Sequence, residues 1–500
     1  MRILLIYPPI TSSEEIKIEP HPPLGLAYLA SFLEKNHYPV KILDALVLGP
    51  KHQLSKKFRF GLTDTQIKNE IKNYAPDIVG VSQMFTPYAQ DGHRMAKIVK
   101  IFNPKIVTVF GGAHSNIDPT LVLKDKNVDF VVRGEGEITF LNLIRALEKG
   151  QKELRGVTGI IYRKRETIVR TLPTPFVKNL DELPFPAWHL LPLPLYDRQD
   201  DPFVMRHPLT SMITSRGCPG KCVFCSIHAT WGHQWRGRSA KNVVDEIEFL
   251  VKKYGIREIH FQDDSMSLDP KRMGEICDEI IKRKLDIKWA TPNGIAHWTL
   301  SMPLLKKMKN SGCYRITFGI ESGDSQMRKW IGKPYSLNQA KRLMAANKLG
   351  FWTIATYILG FPYETRAQIE KTIQFAIDSD VDFALFYRLA PRWGTPVWKI
   401  FEKEGLLPPT KETLYLEGAF CDTKYLKSSQ LIVLRNQAYL RFFKRRLVSF
   451  LNPKRWLQKI KNLQDLLYAL RIAKIGVSLL LKFLFRRSQK ITSKTIKGTF

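Results

Sequence analysis

Five hundred residues, 44% of them hydrophobic, exceed one small domain and suffice for two or three full cores. Six cysteines, of which Cys277, Cys313 and Cys421 are scattered without paired spacing, exclude a disulfide framework, and no run of about 18 apolar residues marks a transmembrane helix. The formal charge of +32 points toward acidic partners, and an apolar start cut short at Pro8-Pro9 is no signal peptide, so a reducing, cytoplasmic setting is expected.

Residues 1–150 alternate strand and helix patterns. Arg2–Tyr7 reads as a short buried strand, Leu24–Glu34 as a helix entered through Pro22-Pro23, and Val40–Asp44 as a second strand. A helical Gln66–Asn73 precedes the strand Asp77–Ser82. A helix over Asp91–Phe102 leads to the strand Lys105–Phe110, and Gly111-Gly112-Ala113-His114 follows at once. The strand Asp129–Arg133 ends at Gly134-Glu135-Gly136-Glu137 and runs into the helix Thr139–Glu148. This order predicts an α/β fold, a doubly wound, Rossmann-like parallel sheet whose ligand lies beyond the carboxyl ends of the strands. Glycines at two of those ends let a ligand come close to the backbone.

Residues 151–205 read as a connector. Val157–Arg163 and Thr167–Leu172 suit a hairpin around Lys164-Arg165-Glu166, and the proline-rich stretch from Pro173 to Pro202 is expected to stay extended.

Leu209–Ser215 reads as a strand, Arg216-Gly217 turns the chain, and Cys218-Pro219-Gly220-Lys221-Cys222-Val223-Phe224-Cys225 follows, ahead of a helical Lys241–Tyr254. Three thiolates on one short loop can hold three irons of a 4Fe–4S cluster and leave the fourth open to a small molecule, because such clusters normally take four cysteines. The competing reading is a structural zinc site of Cys3His type with His228 as the fourth ligand, although zinc sites more often space cysteines as C-x2-C pairs. With Thr210–Thr214 as the first, five more strands are expected at Glu258–Gln262, Ile287–Pro292, Arg315–Ile320, Trp352–Leu359 and Phe383–Ala390.

Residues 401–500 carry no catalytic motif and read as a helical basic region. Arg435–Phe450 suits a helix with an aromatic face of Tyr439, Leu440, Phe442 and Phe443, broken at Asn452-Pro453. Residues 441–500 hold 16 Lys or Arg against one acid, Asp465, close to half of the excess charge. Leu463, Leu466, Leu467, Leu470, Ile472, Ile475, Val477, Leu479, Leu480, Leu481, Phe483, Leu484 and Phe485 interleave with these cations. Basic amphipathic helices favour an anionic membrane surface, with nucleic acid as the competitor.

The three-cysteine loop, with Phe224 just before the third thiol, resembles the signature of radical S-adenosylmethionine enzymes. In that family the amino and carboxylate groups of S-adenosylmethionine chelate the open iron, and one electron cleaves the sulfonium to a 5′-deoxyadenosyl radical. With the preceding sheet and its Gly-Gly and Gly-Glu-Gly-Glu strand ends, roughly residues 1–400 resemble the cobalamin-binding members, the group of the class B methylases and the anaerobic magnesium-protoporphyrin ester cyclase. The resemblance implies that residues 206–400 form a partial (β/α)6 barrel with active groups at strand ends. It places Cys218, Cys222 and Cys225 on the cluster and Phe224 near the adenine. Asp263 and Asp264 are placed at the methionyl amino group, Glu321 of Gly319-Ile320-Glu321-Ser322-Gly323 at the ribose hydroxyls, and Gly360 behind the adenine. Ser82, Gly111, Gly112, His114, Gly134 and Glu135 are placed at the cobalamin.

Two departures stand out. Pro8-Pro9 occupies the loop where many cobalamin domains carry Asp-x-His-x-x-Gly, and Asp91-Gly92-His93 lies past strand three, so the lower face of cobalt is expected to lack histidine. Pro362-Tyr363-Glu364-Thr365 replaces the usual Pro-Gly-Glu-Thr, which puts the loop bend in question. The expected function is methylation of an unactivated carbon of an apolar small-molecule or lipid-like substrate, with a reductant such as flavodoxin or ferredoxin. The enzyme is expected in the cytoplasm, peripheral at the inner face of the membrane through its basic region. The alternative chemistry is a radical cyclase or oxidase acting on a porphyrin-like or lipid substrate. Methylthio transfer is disfavoured because the extra amino-terminal cysteines of that family are missing. A nucleic-acid-binding protein with a structural metal is the reading from another class; it explains the charge and not the strand-end motifs.

Overall fold

Ile3-Leu4-Leu5-Ile6 shows no polar alternation because helices cover it on both faces. Ile3 and Leu5 enter one core with Leu26, Leu33 and Leu143, and Leu4 and Ile6 enter another with Ile67 and Met95. This strand, β1 (Ile3–Tyr7), is the pivot of the first sheet in a computed structural model. The structure describes residues 1–500 except 14–17, 55–56, 152–153, 334, 408–420, 451 and 486–500. The sheet continues with β2 (Val40–Asp44), β3 (Ile78–Ser82), β4 (Val107–Gly111), β5 (Phe130–Val132), β6 (Ile160–Lys164) and β7 (Thr167–Arg170). Among the described residues the strand order is β7-β6-β5-β4-β3-β1-β2, with β1 to β5 parallel. The order reverses between β1 and β3, and an open α/β sheet binds its ligand outside such a switch point.

The hairpin expected within the connector is β6 and β7, but it extends the first sheet. β6 runs antiparallel to β5, with Val131 opposite Ile161. Ile160, Ile161 and Tyr162 are all buried, so this strand covers an edge that β5 would otherwise expose. The proline-rich stretch that follows is no free spacer either. Trp188, Leu191, Leu193 and Tyr196 between its prolines are buried. Trp188 Nε1 donates to Glu246 at 2.9 Å and the Tyr196 hydroxyl to Asp44 at 2.8 Å, which straps the first sheet to the second.

The second sheet comprises β8 (Leu209–Met212), β9 (Glu258–Phe261), β10 (Lys288–Ile295), β11 (Cys313–Glu321), β12 (Trp352–Leu359) and β13 (Phe383–Arg388). They are parallel and adjacent in chain order, a partial barrel with β8 and β13 at its edges. β8 ends at Met212 rather than Thr214, because the Thr214 N–H turns away to the Asp263 carboxylate. β10 runs on past Pro292 to Ile295 through an irregular register against β11. The helix Ala240–Tyr254 behind the cysteine loop starts at Ser239, which accepts from Asn242 N–H, and stops at left-handed Gly255.

Three helices, Ser428–Phe450, Pro453–Lys459 and Leu463–Phe485, complete the chain as described. Asn452 separates the first two and caps the second by accepting from Lys454 N–H. Tyr468, Ala469 and Ile472 pack on Tyr314 and Trp352 and close the amino end of the barrel. The basic region is more folded than its charge suggested. Arg441 pairs with Glu370, Arg446 and Arg455 with Asp380, and Arg455 and Lys459 with Asp382. Leu463, Leu466, Leu467 and Leu470 remain exposed. The side chains of Ile475, Val477, Leu479, Leu480, Leu481, Phe483, Leu484 and Phe485 lie outside the described residues. Among the described residues no helix is long and apolar enough to cross a membrane.

Candidate active site

Cys218, Cys222 and Cys225 lie, half-buried, on the loop beyond β8. Gly217 makes the entry turn at φ +87°, where an added Cβ would stand 2.2 Å from Gln234 O, so glycine is required. The loop is held at Val223, whose N–H donates to Ile331 O at 3.0 Å and whose carbonyl accepts from Val397 N–H at 2.9 Å. A Cβ on Gly220 would stand 3.3 Å from Cys218 Sγ and 3.8 Å from Cys222 Sγ, so two sulfurs converge over a spot free of side chain. Burial pushes the Cys222 thiol up, with Lys333 opposing. Burial, with Cys222, Cys218 and Asp264 adding to it, pushes Cys225 up to about 11. Three soft thiols on one short loop, with Cys222 and Cys218 acting on Cys225, fit an iron–sulfur cluster. The zinc alternative is not assembled: His228 stacks on His233 at 3.7 Å with Nδ1 3.2 Å from Gly232 O. Among the described residues no three His, Cys, Asp or Glu side chains surround a single ion, whereas a four-iron cluster takes each thiolate on a different iron.

The neighbouring carboxylates at the end of β9 have different settings. Asp263 is wholly buried and accepts from Thr214 N–H at 3.0 Å, Thr214 Oγ1 at 2.7 Å and Ser215 Oγ at 2.5 Å. Asp264 keeps an exposed side chain, yet the protein crowded around it, then the charge of Asp263, pushes it up to about 7. Glu321 ends β11 in a left-handed conformation, φ +63°, with Oε1 3.0 Å from Lys333 Nζ. A Cβ on Gly319 would stand 2.8 Å from Glu321 Oε1 and push that carboxylate aside. Burial works against the charge on Lys333, but Glu321 and Cys222 outweigh it and hold the ammonium above its ordinary range. Sequence reasoning missed Lys333, which lies just beyond a helix end and in no motif.

Phe224 packs on Phe361 with ring centroids 6.1 Å apart. Gly360 supplies the bend at φ +91°, and its N–H and that of Phe361 donate to Glu364 Oε2 at 2.7 and 3.3 Å. Tyr363 therefore leaves the bend intact; its hydroxyl turns out to Glu404 at 2.9 Å.

At the first sheet, Met84 and Phe85 follow Ser82 and form an exposed apolar lip at the switch point, 45% and 52% accessible. Gly111 is open, with only Val132 O 4.0 Å from the place of a Cβ. Gly112 is at φ +100°, where a Cβ would meet Gln83 O at 2.7 Å. His114 is buried with Nδ1 3.0 Å from Thr86 Oγ1, and burial, with His93 adding, pushes it down to about 4, so its ring is neutral. Gly134, at φ +70°, donates to Asn116 Oδ1 at 2.6 Å. Asp91 accepts from Thr11 N–H and Oγ1 at 2.7 and 2.6 Å, and His93 Nδ1 lies 2.8 Å from Asp125, so this pair serves the fold. An open, glycine-lined crevice with an apolar lip fits the flat face of a large cofactor such as cobalamin. Glu135 is the exception among the residues placed there: its carboxylate is buried in ion pairs with Arg216 and Arg236 instead of being open to a ligand. The helix Ala113–Ile117 packs on His228–Trp231, just past the cysteines, so the three-thiol loop and the glycine-lined crevice adjoin.

The Radical SAM superfamily matches residues 212–376, and the B12 binding domain matches residues 19–144. An uncharacterized methyltransferase of Pyrococcus horikoshii is 36% identical over 449 residues, 89% of this chain and 93% of that one. Cytidylyl-2-hydroxyethylphosphonate methyltransferase of Streptomyces wedmorensis is 33% identical over 79% of this chain and 80% of its own. The anaerobic magnesium-protoporphyrin IX monomethyl ester cyclase of Rubrivivax gelatinosus is 31% identical over 81% of this chain and 70% of its own. Among solved structures, the cobalamin-dependent S-adenosylmethionine radical enzyme OxsB shares the fold, with a TM-score of 0.69 at 17% identity over 99% of this chain and 74% of that one.

Proposed function

The chain belongs to the cobalamin-binding radical S-adenosylmethionine enzymes, and from that premise we propose that it transfers a methyl group to an unactivated carbon of a small-molecule substrate. Its cofactors are a 4Fe–4S cluster, S-adenosylmethionine and cobalamin. When bound, they supply the methyl group and the one-electron chemistry that opens a carbon–hydrogen bond. The chain itself binds and orients. Cys218, Cys222 and Cys225 hold the cluster. Asp264 takes the methionyl amino group, while Asp263 fixes the strand end beneath it. Glu321, braced by Lys333, takes the ribose hydroxyls, and Phe224, with the bend at Gly360, backs the adenine. Ser82, Gly111, Gly112, His114 and Gly134 border the cobalamin crevice.

The observation that carries this reading is the meeting of the three-thiol loop with the glycine-lined crevice. The test incubates reconstituted enzyme with a reductant, methyl-labelled S-adenosylmethionine and a small-molecule extract of the source cells. Methyl transfer moves the label into a product and forms S-adenosylhomocysteine and 5′-deoxyadenosine in equal amounts. Deoxyadenosine whose formation depends on the extract, with no S-adenosylhomocysteine and an altered but unlabelled substrate, would make the enzyme a radical cyclase or oxidase.

The family works on small molecules with a one-electron reductant; flavodoxin or ferredoxin is the proposed donor here. Leu463, Leu466, Leu467 and Leu470, exposed in a basic region, support a peripheral contact with an anionic membrane at its inner, cytoplasmic face, where an apolar or lipid-like substrate is collected.

A further inference from the structure

The two cofactor edges are joined by one buried quartet of charges. Glu135 and Glu137 lie on the run beyond β5, at the crevice; Arg216 lies two residues before Cys218. Arg216 donates to Glu135 Oε1 at 2.9 Å and to Glu137 Oε1 at 2.7 Å. Arg236, opposite Arg216 in a short antiparallel ladder, donates to both oxygens of Glu135 at 2.9 and 3.0 Å and to Val177 O at 2.6 Å. None of the four side chains is more than 6% exposed. The Arg216 guanidinium lies 5.2 Å from the Tyr28 ring centroid and 5.1 Å from that of Trp231.

Stability is a weak reason for such a group, because well-packed apolar residues can replace a buried ion-pair set without loss. A guanidinium fork does what apolar packing cannot: it fixes both the distance and the angle between the groups it bridges. The backbone beside it is jointed. Gly217 follows Arg216 at φ +87° and Gly134 precedes Glu135 at φ +70°. Each cofactor loop thus turns at a glycine and is pinned next to that turn by the same side chain.

We propose that the Glu135–Arg216–Glu137 bridge, with Arg236 behind it, is the positioning device that sets the separation of the cluster loop from the cobalamin edge. The methyl carrier and the radical source must reach one substrate carbon, and a misplacement of about 1 Å can cost on the order of 10²-fold in rate. The four side chains act through the loops and touch no reacting atom. The proposal depends on the two cofactors and not on which substrate is methylated.

Arg216→Lys keeps the charge and removes the fork. Arg455→Lys is the control, because Arg455 makes a similar buried fork, donating to Asp380 at 2.7 Å and Asp382 at 2.8 Å, but lies at the amino end of the barrel and holds no cofactor loop. In enzyme loaded with both cofactors, pulsed dipolar EPR between the reduced cluster and Co(II) should give one narrow distance for wild type and Arg455→Lys. The distance should broaden or shift in Arg216→Lys. In cofactor-free protein, hydrogen exchange should rise severalfold, and together, in the peptides over 130–137 and 216–225 of Arg216→Lys alone. Equal effects of the two lysine variants, or exchange rising in one peptide only, would overturn the proposal. The exchange readout stands even where cobalamin fails to bind, which separates the two failures. If Arg216→Lys does not fold, Glu137→Gln loosens one arm while keeping a hydrogen bond and is read the same way.

Discussion

Lys333 Nζ lies 3.0 Å from Glu321 Oε1, and the two charges are almost removed from solvent beside the Cys222 thiol. One ammonium therefore serves two groups: it holds the carboxylate at the strand end, and it adds positive charge next to the cluster loop.

Replacing Lys333 by Met should weaken both services. Losing a charged hydrogen-bond partner costs about 1.5–3 kcal/mol, so affinity for S-adenosylmethionine should fall roughly tenfold to hundredfold. The cluster should become harder to reduce, and Lys333→Arg should recover part of each effect. Equilibrium dialysis and a redox titration check this; an unchanged affinity would remove Lys333 from the site.

Asp263 and Asp264 should separate by readout. Asp264→Asn is expected to impair S-adenosylmethionine binding with little change in Tm. Asp263→Asn sets an amide against the Thr214 N–H and should cost about 1–3 kcal/mol of stability, seen as a lower Tm before any cofactor is added.

Gly111→Val should abolish cobalamin binding in a protein that still folds, because the position is open on the structure's own atoms. Gly112→Val should fail to fold, since it strains the backbone and strikes Gln83 O at 2.7 Å. Co-elution of cobalamin on gel filtration distinguishes them. The Co(II) form of wild type should show no nitrogen splitting from histidine in its EPR spectrum, His93 and His114 both being engaged elsewhere.

Glu364 gives a pH dependence. Burial pushes its carboxyl up to about 8, although two backbone N–H groups donate to it. In the unfolded chain it titrates near pH ~4.3. Between these values the folded state binds the extra proton, so this group's contribution to stability declines as pH rises toward about 8. Glu364→Gln should flatten that decline; thermal melts at mildly acid and mildly alkaline pH would show a smaller loss of Tm in the variant than in wild type.

The proposed membrane contact is best tested without truncation, because Trp456, Tyr468 and Ile472 help to cover the barrel end. Leu467→Glu and Leu470→Glu alter exposed positions and should abolish sedimentation with anionic vesicles while leaving Tm unchanged. Binding of wild type should weaken with salt. If wild type ignores vesicles and binds RNA tightly, the region is a nucleic-acid arm.

The two sheets and the cysteine loop were legible because they rest on local signals: apolar runs, glycines at strand ends, and a spacing that few chemistries use. What escaped was set by contacts distant in sequence. Nothing near Ile160–Lys164 says that β5 lacks a neighbour, so the hairpin looked like part of a connector. The prolines between 173 and 202 masked a strap, because Trp188 and Tyr196 find their partners in Glu246 and Asp44. The basic region read as a surface for an anionic partner because Asp380 and Asp382, which take up Arg446, Arg455 and Lys459, precede those cations by more than sixty residues. Adjacent Asp263 and Asp264 look equivalent until Thr214 and Ser215 claim the first.

The missing side chain of Gly360 has a consequence for how the enzyme is made. A Cβ there would stand 2.8 Å from Leu431 Cδ1, so the helix Ser428–Phe450 forms the wall behind the bend at Gly360. That wall is synthesised more than two hundred residues after the cluster cysteines. The cysteine loop is itself held by Ile331 and Val397, so its anchors are complete only thirty-four residues before Leu431. The thiol loop's anchors are thereby made before the wall at Leu431, and the carboxyl-terminal region, which carries no catalytic motif, supplies the last piece packed on the strand-end bend at Gly360.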